Sequence, residues 1–183
     1  MGKRLTLILG GARSGKSTFA EALARKRGGD DVLFVATAEA RDEEMRARIE
    51  NHRAARPVNW RTLETPRDLG RALTGTRARV VLVDCVTLWT TNVLLADETH
   101  ARAEMLREVD DLLAWHAAHD SELIIVSNEV GMGLVPEYPL GRAYRDLLGA
   151  VNGKIAASAD AVFLLVAGLP VEVKALAVRL EDL

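Results

Sequence analysis

The sequence lacks several features that would place it in common functional classes. It has one cysteine, Cys85, among 183 residues, which excludes an intrachain disulfide and favours a buried thiol in a reducing compartment. Its 24 lysines and arginines are outnumbered by 26 aspartates and glutamates, so no broad basic surface for nucleic acid is expected. No apolar run is long enough to span a membrane, and the run at residues 5–9 is too short for a signal peptide. These absences favour a cytoplasmic protein without a nucleic-acid partner.

Short apolar runs alternate with helical patterns along the chain, without an internal repeat, a low-complexity tract or a linker. This alternation is typical of an α/β fold in which helices wrap a parallel sheet, and we expect one domain over residues 1–183. The predicted strands span residues 5–9, 32–36, 60–64, 80–84, 123–126 and 162–166, with an edge strand at 170–174. The predicted helices span residues 18–27, 42–54, 88–95, 101–118 and 140–158.

Three local details carry expectations of their own. Thr65-Pro66 is typical of a helix start, with a capping threonine and a proline at the first helical position. Gly149 and Gly153 weaken the middle of the last predicted helix. The segment 130–139 is long for a connection in a compact domain, which favours a lid or an interface.

A glycine-rich segment matches a phosphate-binding motif at every fixed position. It follows an apolar strand, precedes a helix and fits G-x-x-x-x-G-K-[ST]. Glycines let successive N–H groups point into one concavity, and the helix adds its positive N-terminal end. Lys16 is expected to reach the β and γ phosphates, and the Ser17 hydroxyl to ligate Mg²⁺. The segment predicts a P-loop protein that binds a nucleoside triphosphate through Gly10, Gly11, Ala12, Arg13, Ser14, Gly15, Lys16 and Ser17.

A second signature of this class is an apolar strand that ends in an acid. Residues 80–83 are aliphatic, and Asp84 follows them. In a P-loop protein this aspartate lies beside the Mg²⁺ site. The alternative is an aspartate that caps the following helix. We therefore predict Asp84 as a metal-side residue, together with Ser17.

Two well-known P-loop classes do not fit the sequence. A regulatory GTPase needs N-K-x-D to read the base, whereas Ser127-Asn128-Glu129 lacks the lysine and the aspartate. A DNA-strand-exchange ATPase is expected to carry basic, glycine-bearing DNA loops, and these are not evident. A small-molecule kinase and a nucleotidyltransferase remain.

His52 is the histidine with the most unusual surroundings. It falls on a predicted helix among four arginines, which disfavour the imidazolium and keep the ring neutral, as a nucleophilic nitrogen requires. Those arginines, which also suit phosphate, are Arg46, Arg48, Arg53 and Arg56. The alternative is a histidine packed in the core. The other three histidines are weaker candidates: His116 and His119 lack a third metal ligand and are expected on a solvated helix face, and His100 lies in a polar turn.

These motifs occur together, in order, over nearly the whole chain. The quoted segments are Gly10-Gly11-Ala12-Arg13-Ser14-Gly15-Lys16-Ser17, Ala36-Thr37-Ala38, Arg48-Ile49-x-x-His52-Arg53-x-x-Arg56-Pro57-x-x-Trp60-x-Thr62-x-Glu64, Asp84-Cys85-Val86-Thr87-Leu88-Trp89-x-x-Asn92, Ser127-Asn128-Glu129-Val130-Gly131-x-Gly133-x-Val135-Pro136, Leu140-Gly141-Arg142-x-Tyr144-Arg145-Asp146, Ala159-Asp160 and Ala167-Gly168-Leu169-Pro170. In this combination the sequence resembles the bifunctional adenosylcobinamide kinase/adenosylcobinamide-phosphate guanylyltransferases of cobalamin biosynthesis. It departs from them at Gly153, where the family usually has glutamine, and in the residues that follow Lys174.

The resemblance implies a P-loop NTPase fold, with an open and mostly parallel sheet, helices on both faces and a likeness to strand-exchange ATPases. It implies two reactions at one nucleotide site. In the first, the aminopropanol hydroxyl of adenosylcobinamide takes the γ-phosphoryl of ATP or GTP, with Lys16 and Mg²⁺ stabilising the charge. In the second, His52 attacks the α-phosphorus of GTP, and adenosylcobinamide phosphate then takes the GMP to give adenosylcobinamide-GDP.

The resemblance also implies further site residues and an assembly. Nucleotide contacts beyond the P-loop are carried over to Ala36, Thr37, Ala38, Arg53, Ala54, Ala55, Arg56, Glu64 and Asp84. A homotrimer is implied, with residues 130–139 and 88–95 as interface or corrinoid-binding surface. Asp84 and Glu129 are both candidates for the base of the kinase step. A monofunctional P-loop kinase with a structural His52, and a nucleotide-binding module without catalysis, remain the alternatives.

Overall fold

The computed structural model describes residues 3–40 and 42–178, which form alternating strands and helices. The strands are β1 (Leu5–Gly10), β2 (Val32–Ala36), β3 (Arg61–Glu64), β4 (Val80–Asp84), β5 (Glu122–Val126), β6 (Ala161–Val166) and β7 (Leu169–Glu172). The helices are α1 (Lys16–Gly28), α2 (Glu43–Ala55), α3 (Leu69–Ala72), α4 (Val86–Ala96), α5 (Ala101–Ala118), α6 (Pro139–Ser158) and α7 (Val173–Leu176).

The seven strands of the described residues belong to one sheet in the order β3-β2-β4-β5-β1-β6-β7. Strands β1 to β6 are parallel to their neighbours, and β7 runs antiparallel to β6 at the edge. The predicted α/β class and mostly parallel sheet are confirmed. In this order β5 separates β4 from β1, so the carboxyl ends of three central strands open onto the same edge of the sheet.

The two faces of the sheet are covered by different helices, as predicted. On one face, Leu5 and Leu7 of β1 pack in a large buried cluster with residues of α4, α5 and α6, including Trp89. On the other face, Ile8 of β1 and Phe34 of β2 pack in a smaller cluster with α1. Burial on alternate sides of each strand drives this layering, because successive side chains of a strand point to opposite faces. Within the described residues no helix has the length and apolarity needed to cross a membrane.

The ends of the predicted elements agree with the structure to within one or two residues, with one exception. The helix expected at Thr65-Pro66 is wrong, because α3 begins only at Leu69. The Thr65 hydroxyl donates instead to the carbonyl of Arg67 at 2.7 Å, and Asp68 takes a left-handed conformation with φ +54°. A local turn therefore replaces the expected first helical turn.

The last long helix is continuous despite its glycines. α6 runs for 20 residues through Gly149 and Gly153. A Cβ added at either glycine would meet no atom within 4 Å, so packing does not require glycine there. The buried side of the helix, which includes Leu148 and Val151, holds it against the core and offsets the low helix propensity of glycine.

Glu108 of α5 is a fully buried carboxylate that joins three elements. It accepts hydrogen bonds from Trp89 Nε1 of α4 at 2.6 Å and from the Asp68 N–H, which precedes α3, at 2.6 Å. Arg67 Nε lies 3.4 Å from its other oxygen. A buried carboxylate is tolerated only when it is paired and hydrogen-bonded in this way.

We expect Glu108→Ala to lower the free energy of unfolding by about 3–5 kcal/mol, because the Arg67 guanidinium and two N–H donors lose their acceptor. Glu108→Gln keeps the shape and one acceptor oxygen, so a smaller loss is expected. Urea unfolding followed by tryptophan fluorescence measures both. Asp110→Ala on the same helix removes an exposed partner of Lys154 and should cost less than about 1 kcal/mol. Equal losses for Glu108→Ala and Asp110→Ala would contradict this account.

Candidate active site

The loop between β1 and α1 has the conformation that its glycines permit. Gly15 takes φ +89°, a region that side chains disfavour. A Cβ at Gly10 would lie 2.4 Å from Ser14 Oγ and 2.9 Å from the Leu165 carbonyl oxygen. The Gly168 N–H donates to the Ser14 carbonyl at 3.0 Å, which attaches the loop to the connection after β6. These contacts explain why two of the motif positions are glycine.

The N-terminus of α1 has the features of an anion-binding site. Gly15 precedes the helix without a side-chain cap, and no acidic residue stands in the first turn of this described helix. The N–H groups of the first turn and the helix dipole therefore favour negative charge at this end. Lys16 Nζ donates to the Gly11 carbonyl at 2.9 Å, so the ammonium lies over the loop. The buried Ser14 Oγ has no hydrogen-bond partner among the described residues.

A cavity of about 280 Å³ opens beside this loop at the carboxyl edge of the sheet. It brings together residues that are far apart in sequence and come from α1, β2, α2, β3 and β4. The predicted site residues that line it are Lys16, Ser17, Ala36, Ala38, Arg53, Arg56, Glu64 and Asp84. The remaining lining residues, which were not assigned to the site from sequence, are Phe34, Ala40, Met45, Arg46, Ile49, Glu50, Cys85, Leu88 and Asn128.

Thr37 is placed differently from its neighbours Ala36 and Ala38. Its side chain is fully buried and bonds to the main chain of Cys85. The hydroxyl accepts from the Cys85 N–H at 2.9 Å and donates to the Cys85 carbonyl at 2.7 Å. The Thr37 hydroxyl therefore joins the ends of β2 and β4, and Thr37 does not line the cavity. Ala54 is exposed and also lies off the wall.

His52 belongs to α2 by its backbone, but its side chain and that of Ala55 lie outside the described part of the structure. The flanking residues Ile49 and Arg53 both line the cavity, so this stretch of α2 forms one of its walls. The helix begins at an Asp42 cap, whose carboxylate accepts from the Met45 N–H at 2.7 Å.

Two arginines of the cavity are held by other wall residues. Arg56 stacks on the Phe34 ring, 3.7 Å from its centroid, and its buried Nε has no partner among the described residues. Burial lowers the pKa of Arg56, while Asp84 and Glu21 oppose this shift, and the guanidinium remains cationic at neutral pH. Arg53 makes an ion pair with Glu64 of β3. A cation with an unused buried donor suits a phosphate.

Ser17 and Asp84 provide the oxygen ligands that Mg²⁺ prefers. Both line the cavity, one at the start of α1 and the other at the end of β4. Hydroxyl and carboxylate oxygens are hard donors of the kind that bind Mg²⁺ alongside nucleotide phosphates. The residues present therefore fit a metal ion bound together with a nucleotide.

His116 of α5 and His119, which follows the helix, depart from the solvated face predicted for them. His116 is buried, with 8% of its surface exposed, and its surroundings, chiefly burial, lower its pKa. His119 stacks on Trp115 at a centroid distance of 4.7 Å. Both residues lie at the C-terminal end of α5, and neither lines the cavity.

Cys85 lines the cavity as a protonated thiol. Burial, with a smaller contribution from the Asp84 carboxylate, raises the pKa of the Cys85 thiol from 9.0 to about 11. Because the thiolate is the reactive form, Cys85 is not a nucleophile at neutral pH.

We expect iodoacetamide to alkylate Cys85 at pH 8 about 100-fold more slowly in the folded chain than in urea, since the thiolate fraction falls tenfold per pH unit below the pKa. The rate in the folded chain should keep rising up to about pH 11. Mass spectrometry of the single cysteine measures both states. A plateau near pH 9, or equal rates in both states, would contradict this pKa.

Comparison with known proteins agrees with the geometry. Residues 6–173 match the family described as cobinamide kinase / cobinamide phosphate guanyltransferase. The bifunctional adenosylcobalamin biosynthesis protein CobP of Pseudomonas aeruginosa is 47% identical over 170 residues, which is 92% of this chain and 96% of that protein. The bifunctional adenosylcobalamin biosynthesis proteins CobU of Salmonella typhimurium and Escherichia coli are 42% and 41% identical over 184 residues, each covering 93% of this chain and 99% of the relative. The family resemblance seen in the sequence is confirmed: the chain belongs to the cobinamide kinase/cobinamide phosphate guanylyltransferase family.

Proposed function

We propose that this chain catalyses both reactions of its family in the one cavity described above. The observation that carries the proposal is the composition of the cavity wall. Lys16 and Ser17 of the phosphate-binding loop share it with Ile49 and Arg53, which flank His52 on α2. A triphosphate bound to the loop would therefore occupy the same cavity that α2, the helix carrying the proposed nucleophile, lines.

The kinase step uses the loop end of the cavity. The γ-phosphoryl of ATP or GTP passes to the aminopropanol hydroxyl of adenosylcobinamide. Lys16 and the N-terminus of α1 stabilise the negative charge on the transferred group, which is the main catalytic contribution in phosphoryl transfer. Asp84 lies at the same end of the cavity. One of its carboxylate oxygens is our candidate to receive the hydroxyl proton, and the other is left for the metal.

The guanylyl step uses the α2 side. A ring nitrogen of His52 forms a bond to the α-phosphorus of GTP, and the bond to the leaving pyrophosphate breaks. The phosphate of adenosylcobinamide phosphate then attacks the same phosphorus and releases the histidine, giving adenosylcobinamide-GDP. Arg53 and Arg56 are positioned to hold phosphate oxygens, and a covalent nucleophile divides one difficult displacement into two easier ones.

A kinase and transferase family that uses nucleotides implies a metal ion bound with the nucleotide, and we propose that it is Mg²⁺. Ser17 and Asp84 would hold it, and when bound it neutralises charge on the β and γ phosphates. The substrates follow from the two reactions: GTP, ATP, adenosylcobinamide and its phosphate. The homotrimer, the cytoplasmic location and the single-domain organisation stay predictions.

Labelling with GTP that carries ³²P at the α-phosphate tests the covalent step. We expect the protein to retain label that is stable to alkali and labile to acid, as for a phosphoramidate, and we expect no label in His52→Ala. His100→Ala is the matched control, because His100 lies outside the cavity and pairs with Asp97 on the surface. Its labelling should equal that of the unmodified chain.

The same assay separates the alternatives. An unlabelled chain that still phosphorylates adenosylcobinamide would be a monofunctional kinase with a structural His52. A chain with neither activity would be a nucleotide-binding module. Label retained in His52→Ala would remove His52 from the mechanism.

A further inference from the structure

The segment after β5 lies between the phosphate-binding loop and Asp84. Val126, the last residue of β5, pairs with Ile8 of β1 on one side and with Asp84 of β4 on the other. Neighbouring strands are about 4.8 Å apart. Asn128, two residues farther on, is therefore at the centre of the edge where the triphosphate is expected, although the site assigned from sequence did not include it.

The main chain around Asn128 continues the parallel ladder beyond the end of the strand. The Ser127 N–H donates to the Ile8 carbonyl at 2.9 Å, and the Glu129 N–H donates to the Gly10 carbonyl at 3.1 Å. Gly10 is the first residue of the phosphate-binding loop. The position of Asn128 is thus fixed directly to that loop.

Helices on the other face hold the peptide groups of Asn128 itself. Its N–H donates to Thr87 Oγ1 of α4 at 3.0 Å, and its carbonyl accepts from Asn152 Nδ2 of α6 at 3.0 Å. Tyr144 OH of α6 lies 3.4 Å from the Thr87 carbonyl. The side chains of Thr87 and Asn152 thus hold the main chain of Asn128. Its own side-chain amide is not used in these bonds.

That amide lies on the cavity wall with Lys16, Ser17 and Asp84. Its Oδ1 is buried and has no hydrogen-bond partner among the described residues. Buried polar atoms are nearly always hydrogen-bonded, and an exception calls for an explanation. An amide offers both an acceptor and two donors, so a ligand with a phosphoryl oxygen and a hydroxyl would satisfy it.

Two polar groups next to Asn128 are less suited to contact the substrate. Glu129 Oε1 accepts from the Gly131 N–H at 2.6 Å, which directs that carboxylate into a turn. The thiol of Cys85 is a weak hydrogen-bonding group. The Asn128 amide is a neutral polar group on the cavity wall between the loop and Asp84, and it can both donate and accept.

We propose that Asn128 is a catalytic residue of the kinase step, a role that rests on the function proposed above. Its Nδ2 donates to an oxygen of the γ-phosphoryl, and its Oδ1 accepts from the attacking hydroxyl. A new bond forms between the hydroxyl oxygen and the γ-phosphorus, and the bond to the β-phosphate oxygen breaks with its electron pair leaving on the nucleoside diphosphate. As this bond forms, the hydroxyl proton turns from Oδ1 to a carboxylate oxygen of Asp84, which takes it because an amide does not. A glutamine orients the attacking water of small GTPases in a comparable way.

The test measures the two reactions separately in Asn128→Ala and Asn128→Asp. Transfer of ³²P from γ-labelled ATP to adenosylcobinamide reports the kinase step, and labelling of the protein by α-labelled GTP reports the guanylyl step. We expect kcat of the kinase step to fall about 10²–10³-fold in both variants, as for the loss of one transition-state donor. In Asn128→Ala the KM for ATP and the rate of protein labelling should stay within about threefold, because the interaction forms fully only in the transition state of the kinase step.

Asn59→Ala, at an exposed turn, is the matched control and should leave both reactions unchanged. Thermal unfolding identifies any variant that does not fold, and Asn128→Asp, which is nearly isosteric, then provides the result. A kinase kcat within about threefold of the unmodified chain in a folded variant overturns the proposal. So does a parallel fall in both reactions of Asn128→Ala, which would show that Asn128 shapes the nucleotide site as a whole. If the unmodified chain takes up no label from α-labelled GTP, that result counts against the covalent histidine proposed above. The kinase kcat of the Asn128 variants still tests the role of Asn128 in that case.

Discussion

The parallel hydrogen-bonded ladder that joins β4, β5 and β1 sets the geometry of the whole site. It places Asp84 level with Ile8, two strand spacings or about 10 Å away, and Gly10 follows two residues farther along β1. The segment that carries Asn128 lies between them. That distance suits a metal-bound triphosphate that contacts the loop on one side and the carboxylate on the other. Most residues of these three strands are buried, so the positions of these groups depend on the core and not on the mobility of a loop.

The guanylyl step depends on the cavity wall that α2 forms. α2 is attached to the sheet through charged and polar side chains of its C-terminal part, with Arg56 stacked on Phe34 and Arg53 paired with Glu64. Both arginines are also the groups expected to bind phosphate. When a nucleotide binds at this wall, Arg53 and Arg56 would therefore exchange contacts within the protein for contacts with phosphate. The position of α2, and with it that of His52, would then depend on whether a nucleotide is bound.

Much of this could be predicted from the sequence because its signals are local. Apolar runs bounded by glycine and proline gave the strands, and G-x-x-x-x-G-K-[ST] gave the phosphate site. The exceptions depend on contacts between distant segments. Thr65-Pro66 has the local pattern of a helix start, but the bond from Asp68 to Glu108 fixes another conformation. The hydroxyl of Thr37 bonds Cys85, and the position of Asn128 follows from strand order, which no local motif encodes.

The central claim is that one cavity serves displacements at both the γ- and the α-phosphorus. The most direct measurement is the rate of both reactions in Lys16→Ala, with Lys26→Ala, exposed on the same helix, as control. We predict that Lys16→Ala slows γ-phosphoryl transfer to adenosylcobinamide and α-labelling of the protein alike, each by about 10²-fold or more, while Lys26→Ala changes neither. If Lys16→Ala abolishes one reaction and leaves the other at its full rate, the two reactions use separate nucleotide sites and the account is contradicted.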